Sequence, residues 1–265
     1  MVSSNVMIAM VFVLLVTILV PLVLAIALYR YQRYRVSFLF IGALIFFISQ
    51  VILRLPFLAL LDMSPWHVSM LDSVVYATII FAFTAGIFEE SGRWIAFRLT
   101  RKKEPRWSDA VAFGIGHGGL EAVLLVGLTQ VSNLIISVMI NSGAFEAQIA
   151  PTLGAEAEQL RETMVDLTSD ILILGAIERL AVFPIHIFFS ILVCLAVIKK
   201  KPILLLAAVI LHGIVNAPAV VGMMQGWNIY IIEGIVIVFG GLALWGSIYL
   251  KKFFSTKVEM TQKEA

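Results

Sequence analysis

The feature that most constrains this chain is an alternation of long apolar stretches with short polar connectors, every second connector being basic. Seven stretches fall at about 5–28, 36–61, 73–97, 108–140, 171–198, 203–224 and 228–250. Each is long enough, as a helix rising ~1.5 Å per residue, to cross roughly 30 Å of hydrocarbon. Composition agrees: 61% of residues are hydrophobic and 14% charged, whereas a soluble domain carries roughly a quarter charged residues. The solvent of this chain is therefore mostly lipid. One cysteine, Cys194, sits in an apolar run, which excludes a disulfide framework and a CxxC metal site.

The basic residues set the expected orientation. Arg30, Arg33 and Arg35 follow the first stretch, and Arg98, Arg101, Lys102, Lys103 and Arg106 follow the third. Lys199, Lys200 and Lys201 follow the fifth, and Lys251, Lys252, Lys257 and Lys263 follow the seventh. Segments 1–4, 62–72, 141–170 and 225–227 hold Arg161 alone. The positive-inside rule then puts the N-terminus outside and the C-terminus in the cytosol, which requires an odd number of spans. The first stretch lacks a basic residue before its apolar core and a small-residue cleavage site before Tyr29, so it is expected to be a retained span. The fourth stretch is too long for one straight crossing; Gly127 and the polar Thr129–Asn133 predict a break with a half-helix or re-entrant piece after it. An eighth crossing there would invert the charge pattern downstream. The expected fold is an all-α polytopic bundle of about seven spans, with residues 1–253 as one transmembrane domain and 254–265 as a short cytosolic tail. Segment 141–170, with Glu146, Glu156, Glu158, Glu162, Asp166 and Asp170, is expected to be an acidic outer connector or a lid, with Leu160, Met164 and Leu167 as a partial apolar stripe.

Ionisable residues within spans cost about 2.5–3.5 kcal/mol each near the bilayer centre and therefore mark packed or hydrated interiors. Span three carries Glu89, Glu90 and Arg93; span four His117 and Glu121; span five Glu178, Arg179 and His186. Span six carries His212 and Asn216, and span seven Glu233. The carboxylates and arginines among them would cost on the order of 20 kcal/mol if unpaired. Counted from the basic flank of each span, Glu89 lies 9 residues in, His117 and His212 lie 11, and His186 lies 13. All four thus share a layer roughly 14–20 Å from one boundary. Glu89 and Arg93 share a helical face with Ala82, Ala85, Gly86, Gly92 and Ala96, small residues that permit close packing in lipid. Glu90 is expected to point about 100° away, toward Phe83, Trp94 and Phe97. His67 falls in an outer loop with no visible role. Each of these residues taken alone reads as well as a structural ion pair or a core histidine; the shared layer is what points to one site.

The order FEESGR (88–93), FGIGHGGLE (113–121), ERLAVFPIHIFFS (178–190) and HGIVNAPA (212–219) resembles the YhfC family of intramembrane proteases. More distantly it is similar to the PrsW proteases and to the CAAX prenyl protease/bacteriocin-processing superfamily. That pattern is a Glu-Glu motif followed by Arg, then Phe-x-x-x-His, then His-x-x-x-Asn/Asp, each on its own span. Phe113-x-x-x-His117 and His212-x-x-x-Asn216 match it directly, whereas only two residues separate Glu90 from Arg93 where the superfamily has three. Either glutamate could then occupy the catalytic position.

The resemblance implies a glutamic-type intramembrane peptidase acting on membrane-associated proteins or peptides, in a multi-pass protein of the bacterial cytoplasmic membrane. Glu89, with Glu90 as the competing choice, would activate a water as general base. His117 would position that water, and His212 and Asn216 would stabilise the oxyanion. Arg93, Glu121, Glu178 and His186 would support them. This reading needs no cofactor and no nucleic acid. A zinc version would use Glu89, His117 and His212 as ligands, without a His-Glu-x-x-His motif. A proton- or ion-coupled transporter also buries Glu, His and Arg at mid-membrane, but would favour an internal repeat that the chain lacks. A non-catalytic scaffold keeping the fold is the third alternative.

Overall fold

The structure, a computed structural model, describes residues 1–254. The tail expected from 254 onward lies, but for its first residue, outside the described residues. Among the described residues there are helices and turns and no strand. Seven helices are long and apolar enough to span a membrane: Ser4–Gln32, Val36–Asp62, Val74–Lys103, Trp107–Ser142, Ser169–Ile198, Pro202–Met224 and Ile229–Phe253. They are called spans one to seven below, and they are those the apolar stretches predict. The protein is an all-helical, multi-pass membrane protein.

Span four corrects one expectation. No break follows Gly127; the chain stays helical from Trp107 to Ser142, loosening into a wider π turn over Ala122–Gly127. Its 36 residues extend about 54 Å, well beyond the hydrocarbon thickness. Gly127 lies at a close contact, since a Cβ there would sit 3.1 Å from Thr17 Oγ1 of span one. Thr129 removes its own polarity by donating to Leu125 O at 2.6 Å. A small residue and a back-bonded hydroxyl thus mimic a break in sequence while preserving the helix.

The chain divides into two compact units. The first comprises Met1–Val23 and Glu121–Leu180. Its core joins Val6, Met10 and Val13 of span one to Met164, Leu172 and Ala176. The connector 141–170 folds here into short helices Ala144–Gln148, Ala150–Leu153 and Glu156–Asp166. Leu160, Met164 and Leu167 pack into the core as their spacing predicts, while all six acidic side chains of the segment are exposed. Asn141 caps the N-terminal strand of chain by accepting from Val2 N at 2.8 Å and donating to Val2 O at 2.9 Å.

The second unit comprises Leu24–Leu120 and the chain from Ala181 on. Phe38, Phe97, Phe113 and Phe189 centre its core; the rings of Phe97 and Phe113 lie 4.7 Å apart. Glycines bring its backbones together. A Cβ on Gly116 would meet Leu39 O at 1.9 Å, and one on Gly42 would meet Phe113 O at 2.0 Å, so spans two and four touch main chain to main chain. Lipid offers little hydrophobic drive between helices, and such close approach is what gives them dispersion contacts. Leu206, Trp245 and Ile248 remain exposed, as befits surfaces meeting acyl chains.

Two devices close the basic end of this unit. Asp109 is fully buried and accepts from Arg35 N at 2.8 Å and Arg106 N at 2.9 Å, as well as from both guanidinium groups. Arg35 and Arg106 thereby tie the connectors after spans one and three together, Arg106 also reaching Arg33 O at 2.7 Å. Span five ends in a paired turn, with Lys200 N donating to Val197 O at 3.3 Å and Lys201 N to Ala196 O at 2.9 Å. That motif wants a left-handed residue, usually glycine, and here it is Lys200 at φ +55°. A side chain there costs about 1 kcal/mol relative to glycine.

Candidate active site

Span three forms the axis of the site. Glu89 and Glu90 are consecutive and so project about 100° apart, yet they are 2% and 0% exposed. The reason is that span three is walled on two sides. Gly92 faces Ser49 and Ile45 of span two, and Gly86 faces Val209 O and His212 Cβ of span six. Glu90, expected on the side of Phe83, Trp94 and Phe97, turns its carboxylate to span six, 2.7 Å from His212 Nδ1.

Arg93, fully buried, binds both glutamates. Its Nη1 donates to Glu90 Oε1, and its Nη2 donates to Glu89 Oε2 at 3.4 Å. The same Nη2 donates to His186 Nδ1 at 3.0 Å. A guanidinium has no acceptor, so Nδ1 of His186 must supply its lone pair to Arg93. His117 of span four places Nε2 2.8 Å from Glu89 Oε2. His212 of span six places Nδ1 2.7 Å from Glu90 Oε1 and Nε2 4.0 Å from Glu89 Oε1. Aromatic neighbours hold both imidazoles: Phe46 meets His117 edge-on at 5.2 Å, and Phe189 stacks on His212 at 5.0 Å. A Cβ on Gly118 would lie 2.9 Å from the His186 ring, so that glycine makes room for the ring itself.

The structure thus brings together Glu89, Glu90, Arg93, His117, His186 and His212 from four spans. Asn216 lies one turn beyond His212, half-buried and making no hydrogen bond to the group. Glu121 and Glu178 belong to the other unit, where Arg179 pairs with both, reaching Glu121 at 3.4 Å. Glu233 is buried in span seven.

Span two contributes residues that sequence reasoning missed. Gln50 donates its amide N–H to Glu89 Oε1, and its Oε1 accepts from Arg54 Nη1 at 3.1 Å. Arg54 also donates to Thr84 Oγ1 at 3.1 Å and to Phe81 O at 2.7 Å. Because a guanidinium only donates, Gln50 must turn its oxygen to Arg54 and its nitrogen to Glu89. These residues sit in a π turn over Phe47–Arg54, a distortion common at functional sites. The signal available in the sequence was an arginine and a glutamine four residues apart inside an apolar stretch. His67 was also misjudged: it is fully buried, with Nδ1 2.7 Å from the Tyr76 hydroxyl and Nε2 3.2 Å from Asp62.

Counting formal charge, the two carboxylates face Arg93 directly and Arg54 through Gln50, so the centre is balanced. The donor chemistry fits a metal. Glu89, His117 and His186 present atoms within 4.8 Å of one another, as do Glu89, Glu90 and His212. Glu90 Oε2 and His117 Nδ1 are buried with no hydrogen-bond partner, so both retain donor capacity. His186 is the poorest ligand, its Nδ1 lone pair being engaged by Arg93. His212 is the best prepared, because Glu90 fixes Nδ1 and directs Nε2 toward Glu89, the carboxylate–histidine arrangement usual behind metal ligands.

Fold and site define a polytopic membrane protein with a buried glutamate–histidine–arginine centre. The chain belongs to the family of YhfC intramembrane metalloproteases, whose family model matches residues 16–236. It is 32% identical over 223 residues to the uncharacterized membrane protein YhfC of Bacillus subtilis (strain 168), an alignment covering 81% of this chain and 84% of that protein. No solved structure matches it. The family resemblance expected from the ordered motifs is thereby borne out.

Proposed function

We propose that this protein is an intramembrane peptidase that hydrolyses peptide bonds of membrane-embedded substrates at the centre built on Glu89. The observation that carries this reading is the Glu89 carboxylate, 2% exposed and lying between His117 Nε2 at 2.8 Å and His212 Nε2 at 4.0 Å. The family description turns the mechanism from a purely glutamic one toward a metal held by Glu89, His117 and His212, two histidines that belong to separate ligand groups and would have to close on Glu89 to share one ion. Such an ion would supply a water of pKa about 7 and polarise the scissile carbonyl. An ion there would compete with the proton shared by His117 Nε2 and Glu89 Oε2, so its affinity would fall in acid.

The remaining residues position these three. Glu90 holds Nδ1 of His212. Arg93 keeps both carboxylates in one rotamer and orients His186. Gln50 holds the second oxygen of Glu89. Asn216 supplies an amide donor one turn from His212, suited to the oxyanion that forms on the substrate.

A second reading, a glutamate-activated water without metal, is favoured by Arg93, which already brings positive charge against both carboxylates. There Glu89 accepts the proton of the attacking water, His117 orients that water, and His212 with Asn216 stabilises the oxyanion. The orientation with the N-terminus outside accompanies either reading.

The test is cleavage of a membrane-spanning reporter by purified protein in proteoliposomes, for wild type, Glu89→Gln and Glu90→Gln, with and without a chelator. Cleavage lost with Glu89→Gln and with chelator supports the metal form; loss with Glu89→Gln alone supports the glutamic form. Cleavage surviving both glutamate changes overturns both, and ion flux without cleavage would mark a transporter.

A further inference from the structure

Away from the glutamates, a cavity of about 240 Å³ opens at the basic end of span three. It is lined by Trp94, Arg98 and Arg101 of that span, Val197 and Lys200 at the end of span five, and Pro202 at the start of span six. Among the described residues, Arg98, Arg101 and Lys200 have no carboxylate partner. Arg98 lies over the Trp94 ring at 4.7 Å, which holds its guanidinium at the cavity wall.

Topology alone asks only for basic residues near this boundary, and Lys102, Lys103, Lys199, Lys251 and Lys252 meet that demand without lining the cavity. Two further observations separate this place from them. The cavity adjoins the first turn of Pro202–Met224, a 23-residue helix whose N-terminal end favours an anion. And Lys200 stands in a left-handed position, φ +55°, that the turn would give to glycine. Lys200 nonetheless keeps its side chain on the cavity wall.

We infer that this cavity binds a negatively charged phosphate group, either the headgroup of an anionic phospholipid or free phosphate. Two guanidinium forks match phosphate oxygens, the ammonium adds a point charge, and the indole packs against the adjoining carbon skeleton. This inference is independent of the peptidase reading.

The experiment is native mass spectrometry of the purified full chain titrated with phosphatidylglycerol or phosphatidylcholine, each with and without inorganic phosphate as competitor. Phosphatidylglycerol should bind the wild type tighter than phosphatidylcholine. Arg98→Gln and Lys200→Gly should each weaken it about fivefold, the worth of one cation near an anionic headgroup. Lys251→Gln, a cation at the same end but off the cavity, should leave it unchanged. Lys200→Gly should keep or raise the melting temperature, so its loss of binding is not loss of fold. Displacement by inorganic phosphate would make free phosphate the ligand; phosphatidylglycerol binding that resists it would make the headgroup the ligand. Equal binding by wild type, Arg98→Gln and Lys200→Gly, or an equal loss with Lys251→Gln, overturns the inference.

Discussion

Replacing Gln50 by leucine tests whether span two holds Glu89 in its working position. The change keeps the side chain's approximate bulk and removes two hydrogen bonds, one to Glu89 Oε1 and one from Arg54 Nη1. Both partners are charged groups in a water-poor interior. A hydrogen bond to a charged group contributes about 1.5–3 kcal/mol. If the full amount is felt at the reacting carboxylate, kcat/KM falls by roughly 10- to 150-fold. The fall should appear in kcat rather than KM, because the contacts Gln50 makes are to Glu89 and Arg54. Reporter cleavage in proteoliposomes measures it, beside thermal unfolding of the same preparation. Gln50→Glu should be worse still, since it sets a second carboxylate against Glu89. Gln50→Leu cleaving within twofold of wild type would refute the reasoning and leave Gln50 a lipid-side residue of no consequence to the site.

Other outcomes follow from the same structure. His117→Ala and His212→Ala should each reduce tightly bound metal, measured by elemental analysis after zinc loading, from about one equivalent to near none if the metal form holds. Gly116→Ala should lower the melting temperature by several degrees or prevent folding, because its Cβ would lie 1.9 Å from Leu39 O; Gly241→Ala, with nothing within 4 Å, should be tolerated. Asp109→Asn should cost about 1.5–3 kcal/mol, as it weakens the charge-assisted hydrogen bonds to Arg35 and Arg106, whose side chains remain partly exposed; denaturant or thermal melts in detergent would register it.

The number and limits of the spans were legible because lipid imposes length and charge rules that act on single segments. The site was legible for a related reason. A buried His or Glu is costly enough to be rare in a span, so residues at matching depth on separate helices point to one another. What stayed hidden is what depends on rotation and on polar groups with ordinary sequence signatures. The direction of Glu90 could not be read from span three alone, since the helices on its two sides decide which faces are interior. Gln50 and Arg54 passed unnoticed because a snorkelling arginine near a span end looks identical in sequence to one that steadies a buried amide. The continuity of span four was obscured by Gly127, whose role is contact and not conformation.

The local pairing of Glu90 with Arg93 bears on how this chain is made. Glu90 waits for His212, which follows 122 residues later. At about 5–20 residues per second of synthesis, that is a delay of roughly 6–24 s. During it span three, the least apolar of the seven, resides beside the translocation machinery with its final partners still unwritten. Arg93, three residues away on the same turn, is the one counter-charge that arrives with the glutamate. A ribosome-stalled chain ending before span six should therefore insert span three with Arg93 present and fail to retain it with Arg93→Ala, which makes this arginine an escort during biogenesis before it becomes a fixture of the finished site.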